Sequence, residues 1–314
     1  MSYWIAVDIG GTKLRAACYQ EGDIHPSAMK KVPAQHRRVP ALQQVTDLIN
    51  SLWPVHGQVA GIGVAAPGPV DPFSGTVLWA PSILEWVDYP LEQILGDSFQ
   101  VPAYVGNDAN LAALGEWKYG AGQGHHDLLY LTISTGIGGG VIANGQLLFG
   151  KQGLAGELGH ITVIPNGPLC SCGRAGHLEA VASGPSIARW TETELRRGAD
   201  SNLPTGISLT CRQIAKAAMA GDPLSQAAFE RAGKYLGRAI SNYVNILNPS
   251  MVILGGGVSQ SGDLLLGPIR AVLATQVYSH HFLDALQLTT AALGDDAGLL
   301  GALELAQTRS RMKV

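Results

Sequence analysis

The chain has 314 residues and a formal charge of -3, with 46% hydrophobic residues against 14% charged. That length and apolar share describe a compact protein with room for two cores, not a disordered chain, and without a basic excess neither a nucleic acid nor an anionic membrane has electrostatic support. Forty glycines with no Gly-X-Y period point to many tight turns and close backbone approaches.

The first predicted element is a buried strand over residues 3–7, which runs into Asp8 and the turn DIGGTK (8–13). Asp8 interrupts the apolar run too early for a secretion signal, and no stretch reaches the length of a membrane span, so the expected location is the cytoplasm. Taken alone, DIGGTK reads as a hairpin turn. Its other reading is an anion-binding concavity: Gly10 and Gly11 bring backbone N–H groups together, Thr12 adds a hydroxyl and Lys13 a charge. A helix is predicted over 40–52 and a second strand over 60–65. There GIGVAA (61–66) imitates a dinucleotide fingerprint, but Pro67-Gly68-Pro69 forbids the helix that such a fingerprint opens.

Residues 106–110 read GNDAN ahead of a helical segment. Asp108 either caps that helix or faces a cleft. In the second case Asn107 fixes a hydroxyl and Asp108 accepts its proton, with the helix N-terminus favouring the ionised carboxylate. A strand over 128–133 then leads into a second glycine-rich turn, TISTGIGGG (132–140). Strand followed by hydroxyl-bearing turn therefore occurs twice, suggesting a duplication that holds a polyphosphate between two domains. GQLLFGKQ (145–152) copies the spacing of a P-loop, yet Gln152 stands where a magnesium-binding hydroxyl belongs.

The segment 156–180 places His160, Cys170, Cys172 and His177 within eighteen residues. Two imidazoles and two thiols suffice for a closed tetrahedral zinc site, the alternative being reduced, unliganded thiols. A bridge between Cys170 and Cys172 would be strained. His160 can offer one nitrogen to zinc and the other to a substrate hydroxyl, while Glu157 and Glu179 are either solvated glutamates or acceptors for paired hydroxyls. Carboxylate, amide and imidazole together suit a sugar. Beyond lie a long helix over 224–247 stopped by Asn248-Pro249, a strand over 251–254, a third glycine turn ILGGGVS (253–259), and a last helix near 296–307 that returns to the first domain. Strands alternating with helices make an α/β protein, with a domain boundary just after Asp108.

In order, DIGGTK, GVAAPGPVD (63–71), GNDAN, TISTGIGGG, GELGH, CSCGRAGHLE, ILGGGVS and LGDDAGLLGA (293–302) resemble the ROK family of sugar kinases and repressors across essentially the whole chain. The resemblance implies a two-domain, actin-like and ribonuclease-H-like α/β ATPase fold with a cleft between the domains. Residues 1–108 plus 296–314 would form the small domain, and 109–295 the large one that carries the zinc motif. The same resemblance makes Asp108 the catalytic base and puts Gly68, Asn107, Asp108, Glu157, His160 and Glu179 on the substrate. It assigns Gly10, Gly11, Thr12 and Lys13 to a first phosphate loop with Asp8 near Mg2+, Thr135, Gly136 and Gly138 to a second, and Gly255, Gly256 and Gly257 to the adenosine side. His160, Cys170, Cys172 and His177 would hold a structural Zn2+.

The implied reaction is ATP-dependent phosphorylation of a hexose, foremost glucose at its 6-hydroxyl. An N-acetylhexosamine or fructose kinase is the alternative within the family, and polyphosphate an alternative donor. The rival class is a sugar-responsive repressor, disfavoured because the first strand begins at about residue 3 and leaves no room for a winged-helix module. A homodimer without nucleic-acid or membrane partners is expected. Two positions depart from the family pattern: His177 stands where a third cysteine is usual, and Ser82 in WAPSILEW (79–86) where asparagine is common.

Overall fold

The computed structural model describes residues 1–36 and 38–312. The N-terminal apolar run forms β1 (Ser2–Ile9), with Ile5, Val7 and Ile9 packed into one core and Trp4 and Ala6 into another. A strand buried on both faces has no polar alternation, which is why it reads as a continuous apolar run. β2 (Lys13–Gln20) and β3 (Pro26–Pro33) follow as an antiparallel meander. After α1 (Ala41–Asn50), β4 (Gln58–Ala66) returns parallel to β1. A small antiparallel sheet, β5 (Val70–Asp71), β6 (Thr76–Trp79) and β7 (Val87–Tyr89), then precedes α2 (Leu91–Phe99) and β8 (Ala103–Asn107), the latter parallel to β4. The first sheet has the order β3-β2-β1-β4-β8.

Beyond α3 (Asp108–Tyr119) the plan repeats. β9 (Leu128–Ile133), β10 (Ile137–Ala143) and β11 (Gln146–Leu147) form a second antiparallel meander. The cysteine-containing segment and four helices follow: α4 (Glu179–Ala182), α5 (Gly184–Arg196), α6 (Cys211–Met219) and α7 (Pro223–Leu247). β12 (Met251–Gly255) then pairs parallel to β9, and after α8 (Gly256–Ser259), α9 (Asp263–Gln276) and α10 (His281–Asp284), β13 (Gln287–Thr290) pairs parallel to β12. The order β11-β10-β9-β12-β13 reproduces the first sheet in sequence and sense. This is the duplicated α/β architecture of the actin-like, ribonuclease-H-like kind.

α7 is built as its periodicity dictates. Leu224, Ala228, Ala232, Leu236, Ile240 and Tyr243 lie on the buried side, Asp222 caps the start by accepting the Ser225 N–H at 2.8 Å, and Asn248 ends it in the left-handed conformation. The closing helix α11 (Ala297–Met312) covers the first sheet through Leu299, Leu300 and Leu303. Arg309 near its end pairs with Glu92 of α2 at 2.9 Å.

The expected boundary after Asp108 falls at the start of a helix that serves both halves. Leu111 and Leu114 of α3 join the core beneath the first sheet, while Ala112 and Ala113 pack on Leu128 and Tyr130 of the second. α3 crosses α11 backbone to backbone: a Cβ on Gly301 would lie 1.7 Å from the Leu111 carbonyl, and one on Gly115 2.3 Å from that of Ala297. Glu116, wholly buried, accepts the N–H groups of Ala121, Ala292 and Leu293 at 2.8–3.1 Å and so ties α3 to the chain entering α11. Among the described residues no helix is long and apolar enough to cross a membrane.

Candidate functional site

DIGGTK joins β1 to β2 as a tight turn, with the Gly10 N–H donating to the Lys13 carbonyl at 3.0 Å. The hairpin and anion-binding readings thus describe the same residues. Ser82 packs against this turn, 3.4 Å from where a Gly11 Cβ would stand. Lys13 Nζ lies 3.0 Å from Asp295 Oδ2, which Lys31 also approaches at 3.3 Å. Both lysines are half exposed, so these are solvent-screened pairs that an incoming phosphate can displace. Behind them the buried Arg15 bonds the Asp296 carboxylate and the Asp295 carbonyl. Asp8 is raised to about 6: burial outweighs the attraction of Arg15, and Asp295 adds repulsion.

The second turn, Ser134–Gly136, joins β9 to β10. Here the glycine run departs from its sequence reading, because Gly138, Gly139 and Gly140 lie inside β10. A Cβ on Gly138 would come 2.8 Å from Ala109 Cβ, and one on Gly140 2.5 Å from Ala113 Cβ. These glycines let α3 close onto the sheet. The third turn divides similarly: Gly255 and Gly256 are packed against Tyr130 and Ile133, whereas Gly257 faces open space. Beside Gly257 opens a cavity of about 620 Å³, lined by Ser134 and Thr135 of the second turn, by Gly184, and by Leu209, Ala215 and Lys216 of the α6 wall. Its apolar wall and hydroxyl-bearing rim suit a nucleoside.

Asp108 opens α3, but the N-cap is Asn107, whose Oδ1 accepts the Asn110 N–H at 3.0 Å. The Asn107 amide donates to the Gly68 carbonyl at 2.9 Å and to Asp108 Oδ1 at 3.1 Å. Gly68 itself has φ +82, and a Cβ there would collide with the Trp79 carbonyl at 2.1 Å. Asp108 Oδ1 also takes the Ala109 N–H at 2.8 Å, while Oδ2 has no protein partner among the described residues. The helix N-terminus favours the ionised carboxylate, as expected, through the Ala109 N–H, but it does not act alone. Burial and the charges of Asp8 and Glu157 outweigh the Ala109 N–H and raise Asp108 to about 7.

His160, Cys170, Cys172 and His177 converge so that their ligating atoms all lie within 4.8 Å of one another. Cys170 Sγ stands 3.6 Å from His160 Nδ1, and Cys172 Sγ 3.3 Å from His177 Nδ1. Zinc–sulfur bonds of about 2.3 Å and zinc–nitrogen bonds of about 2.0 Å give tetrahedral edges of this size, so the four residues fit the ion. The knot is closed by isolated bridges between Thr162 and His177 and between Leu169 and Ala175. His160 turns Nδ1 to the thiols and Nε2 toward Glu157 Oε2 at 3.8 Å. Burial raises the Glu157 carboxyl, His160 opposing. Glu179 accepts the Ile137 N–H at 3.0 Å, which joins the cysteine segment to the second turn.

Three contributors escaped the sequence reading. Tyr243 of α7 donates its hydroxyl to the Leu158 carbonyl and holds the GELGH segment from below; nothing in a helical apolar face marks such a phenol. Ser171, between the two cysteines, donates to Glu179 at 2.5 Å. The α6 wall of the cavity carries no glycine turn, and on the opposite wall Gly184 and Pro185 open α5 directly after the short helix α4.

The sequence profile of the ROK family matches residues 4–309. A glucokinase of Halalkalibacterium halodurans is 37% identical over 95% of this chain and 93% of its own length. A ROK glucokinase of Streptomyces griseus, solved with glucose and AMPPNP, superposes with a TM-score of 0.84 at 34% identity, covering 98% of this chain and 99% of that one. A ROK transcriptional regulator, a homologue of the Escherichia coli MLC protein, superposes at 0.88 with 26% identity, over 98% of this chain and 78% of the regulator.

Proposed function

The chain belongs to the ROK family, and from that premise we propose that it is a glucokinase, transferring the γ-phosphoryl group of ATP to the 6-hydroxyl of glucose. The observation that carries the reading is Asp108: a carboxylate held by Oδ1, with no hydrogen bond from another residue to Oδ2 among the described residues, near enough to Asp8 of the first turn and to Glu157 to feel both charges. In this reading Asp108 Oδ2 takes the proton of the hydroxyl as its oxygen attacks the γ-phosphorus in line and ADP leaves. Asn107 orients Asp108 and leaves one acceptor lone pair for substrate.

The Gly11 backbone N–H, the Thr12 hydroxyl and the Lys13 ammonium receive phosphate oxygens on one side, while Gly10 closes the turn through its own N–H to the Lys13 carbonyl; Thr135 and Gly136 receive them on the other. Gly138, Gly255 and Gly256 serve the nucleotide side by packing, and Gly257 by lining the base cavity. Asp8, the carboxylate of the first turn, would hold Mg2+, which would supply neutralisation of the phosphate charge. His160 Nδ1, Cys170, Cys172 and His177 would hold a structural Zn2+, which would fix the loop, and His160 would then keep Nε2 for the substrate side. The enzyme works in the cytoplasm as a homodimer, with residues 1–108 and 296–314 closing on 109–295.

A coupled assay over glucose, mannose, fructose and N-acetylglucosamine, with ATP and polyphosphate each as donor, tests the proposal. Glucose with ATP is expected to give the highest kcat/KM; a clear preference for an N-acetylated sugar or for fructose would reassign the substrate.

A further inference from the structure

We propose that Ser171 is a positioning residue for the sugar: standing between the two cysteines of the metal knot, its hydroxyl sets the orientation of the Glu179 carboxylate. The inference rests on the sugar-kinase reading and deepens it.

Glu179 opens α4 with its two oxygens held from different sides. Oε2 accepts the N–H of Ile137, the first residue of β10 after the second turn, at 3.0 Å. Oε1 accepts the Ser171 hydroxyl at 2.5 Å and faces the Cys170 thiol at 3.4 Å. A hydroxyl donating to an ionised carboxylate is among the strong hydrogen bonds, whereas a thiol is a weak donor. The Ile137 bond alone leaves the carboxylate free to pivot about one oxygen; the Ser171 bond fixes its plane. A carboxylate has about four lone-pair directions, so both bonds together still leave acceptors for substrate hydroxyls.

Ser171 is itself aimed by its neighbours. The turn around it is closed by the Gly173 N–H donating to the Cys170 carbonyl at 3.0 Å and the Cys170 N–H donating to the Arg174 carbonyl at 2.8 Å. The residues on either side, Cys170 and Cys172, are both in the four-residue cluster that fits zinc. Order in the knot is thereby passed to a sugar-facing oxygen through one side chain, an outer-shell role that the ligands cannot perform themselves. Ser171 is solvent-exposed and joins no core cluster, so its hydroxyl can be removed without a cavity.

The test uses the full chain purified with zinc, comparing wild type, Ser171→Ala and Ser171→Thr for zinc content by mass spectrometry, glucose affinity by calorimetry, and steady-state kinetics. Ser171→Ala is expected to weaken glucose affinity and raise its KM about tenfold while kcat and the ATP KM change less than about twofold. Zinc stays at the wild-type stoichiometry, and Ser171→Thr restores the KM. An unchanged glucose KM overturns the proposal, as does a rise that accompanies zinc loss or that threonine does not reverse. A wild-type enzyme that phosphorylates no hexose would sink the sugar-kinase reading instead, so the two failures are separable.

Discussion

Asp108 is the residue on which local sequence and tertiary surroundings pull in opposite directions. A helix N-terminus lowers a carboxylate pKa, but here burial and the neighbouring charge of Asp8 prevail and raise it to about 7. A base must be deprotonated to act, so kcat/KM should rise with pH along an acid limb centred near that value. A profile measured at limiting glucose that stays flat from about pH 5.5 to about pH 8.5 would remove Asp108 from this role. Asp108→Asn should lower kcat by about a thousandfold while glucose binding survives. The same shift has a stability consequence. Because the folded pKa exceeds the unfolded one, the wild type has its full stability from this group below the ordinary carboxylate range and loses it as pH rises through about 7. The asparagine variant should therefore gain in melting temperature over wild type between acidic and neutral pH, as scanning calorimetry at matched ionic strength can check.

Among the elements, those with a strong period were readable and those defined by packing were not. The strand expected at 60–65 is β4 (Gln58–Ala66), and the helix expected at 224–247 is α7, because apolar spacing alone records which face is buried. GIGGG misled for a physical reason. A glycine placed for close approach of α3 has the same letter as one placed for a turn, and only the distances to Ala109 and Ala113 separate them. Glu116 was equally hidden in ALGEW, since a buried carboxylate and a solvated one look alike in sequence. Replacing it by alanine removes the acceptor of three backbone N–H groups at the junction of α3 and α11. The expected loss is about 3 kcal/mol or more in urea unfolding, with an unchanged m-value. A loss no larger than that of an exposed glutamate would show the junction to be held by helix packing alone.

For the whole molecule, the repeated sheet orders give each half the same glycine turn between its first two strands. Each unit presents the turn between its first two strands at the same end of its sheet, and α3 with α11 joins the units through glycine contacts. A ligand that binds only this folded arrangement must stabilise it. Glucose at about 100 times its Kd should add about 2.7 kcal/mol and raise the melting temperature, with the increment growing with ligand concentration. Thermal unfolding over a glucose series reads this directly, and a melting point indifferent to saturating glucose would contradict the sugar site. AMPPNP should add its own increment.

By itself the sequence determined the α/β class, the duplication, the two strand-linking turns and the four residues that gather in the His/Cys cluster, because each is written in local spacing and in the chemistry of residue types. Only the tertiary structure decided which glycines are left open and which face α3, that Asn107 and not Asp108 caps the helix, that Asp108 is driven toward neutrality, and that Ser171 bonds Glu179 and Tyr243 bonds the Leu158 carbonyl. Those properties depend on burial, on the dielectric around a charge and on contacts between segments far apart in the chain, none of which a short window of residues contains.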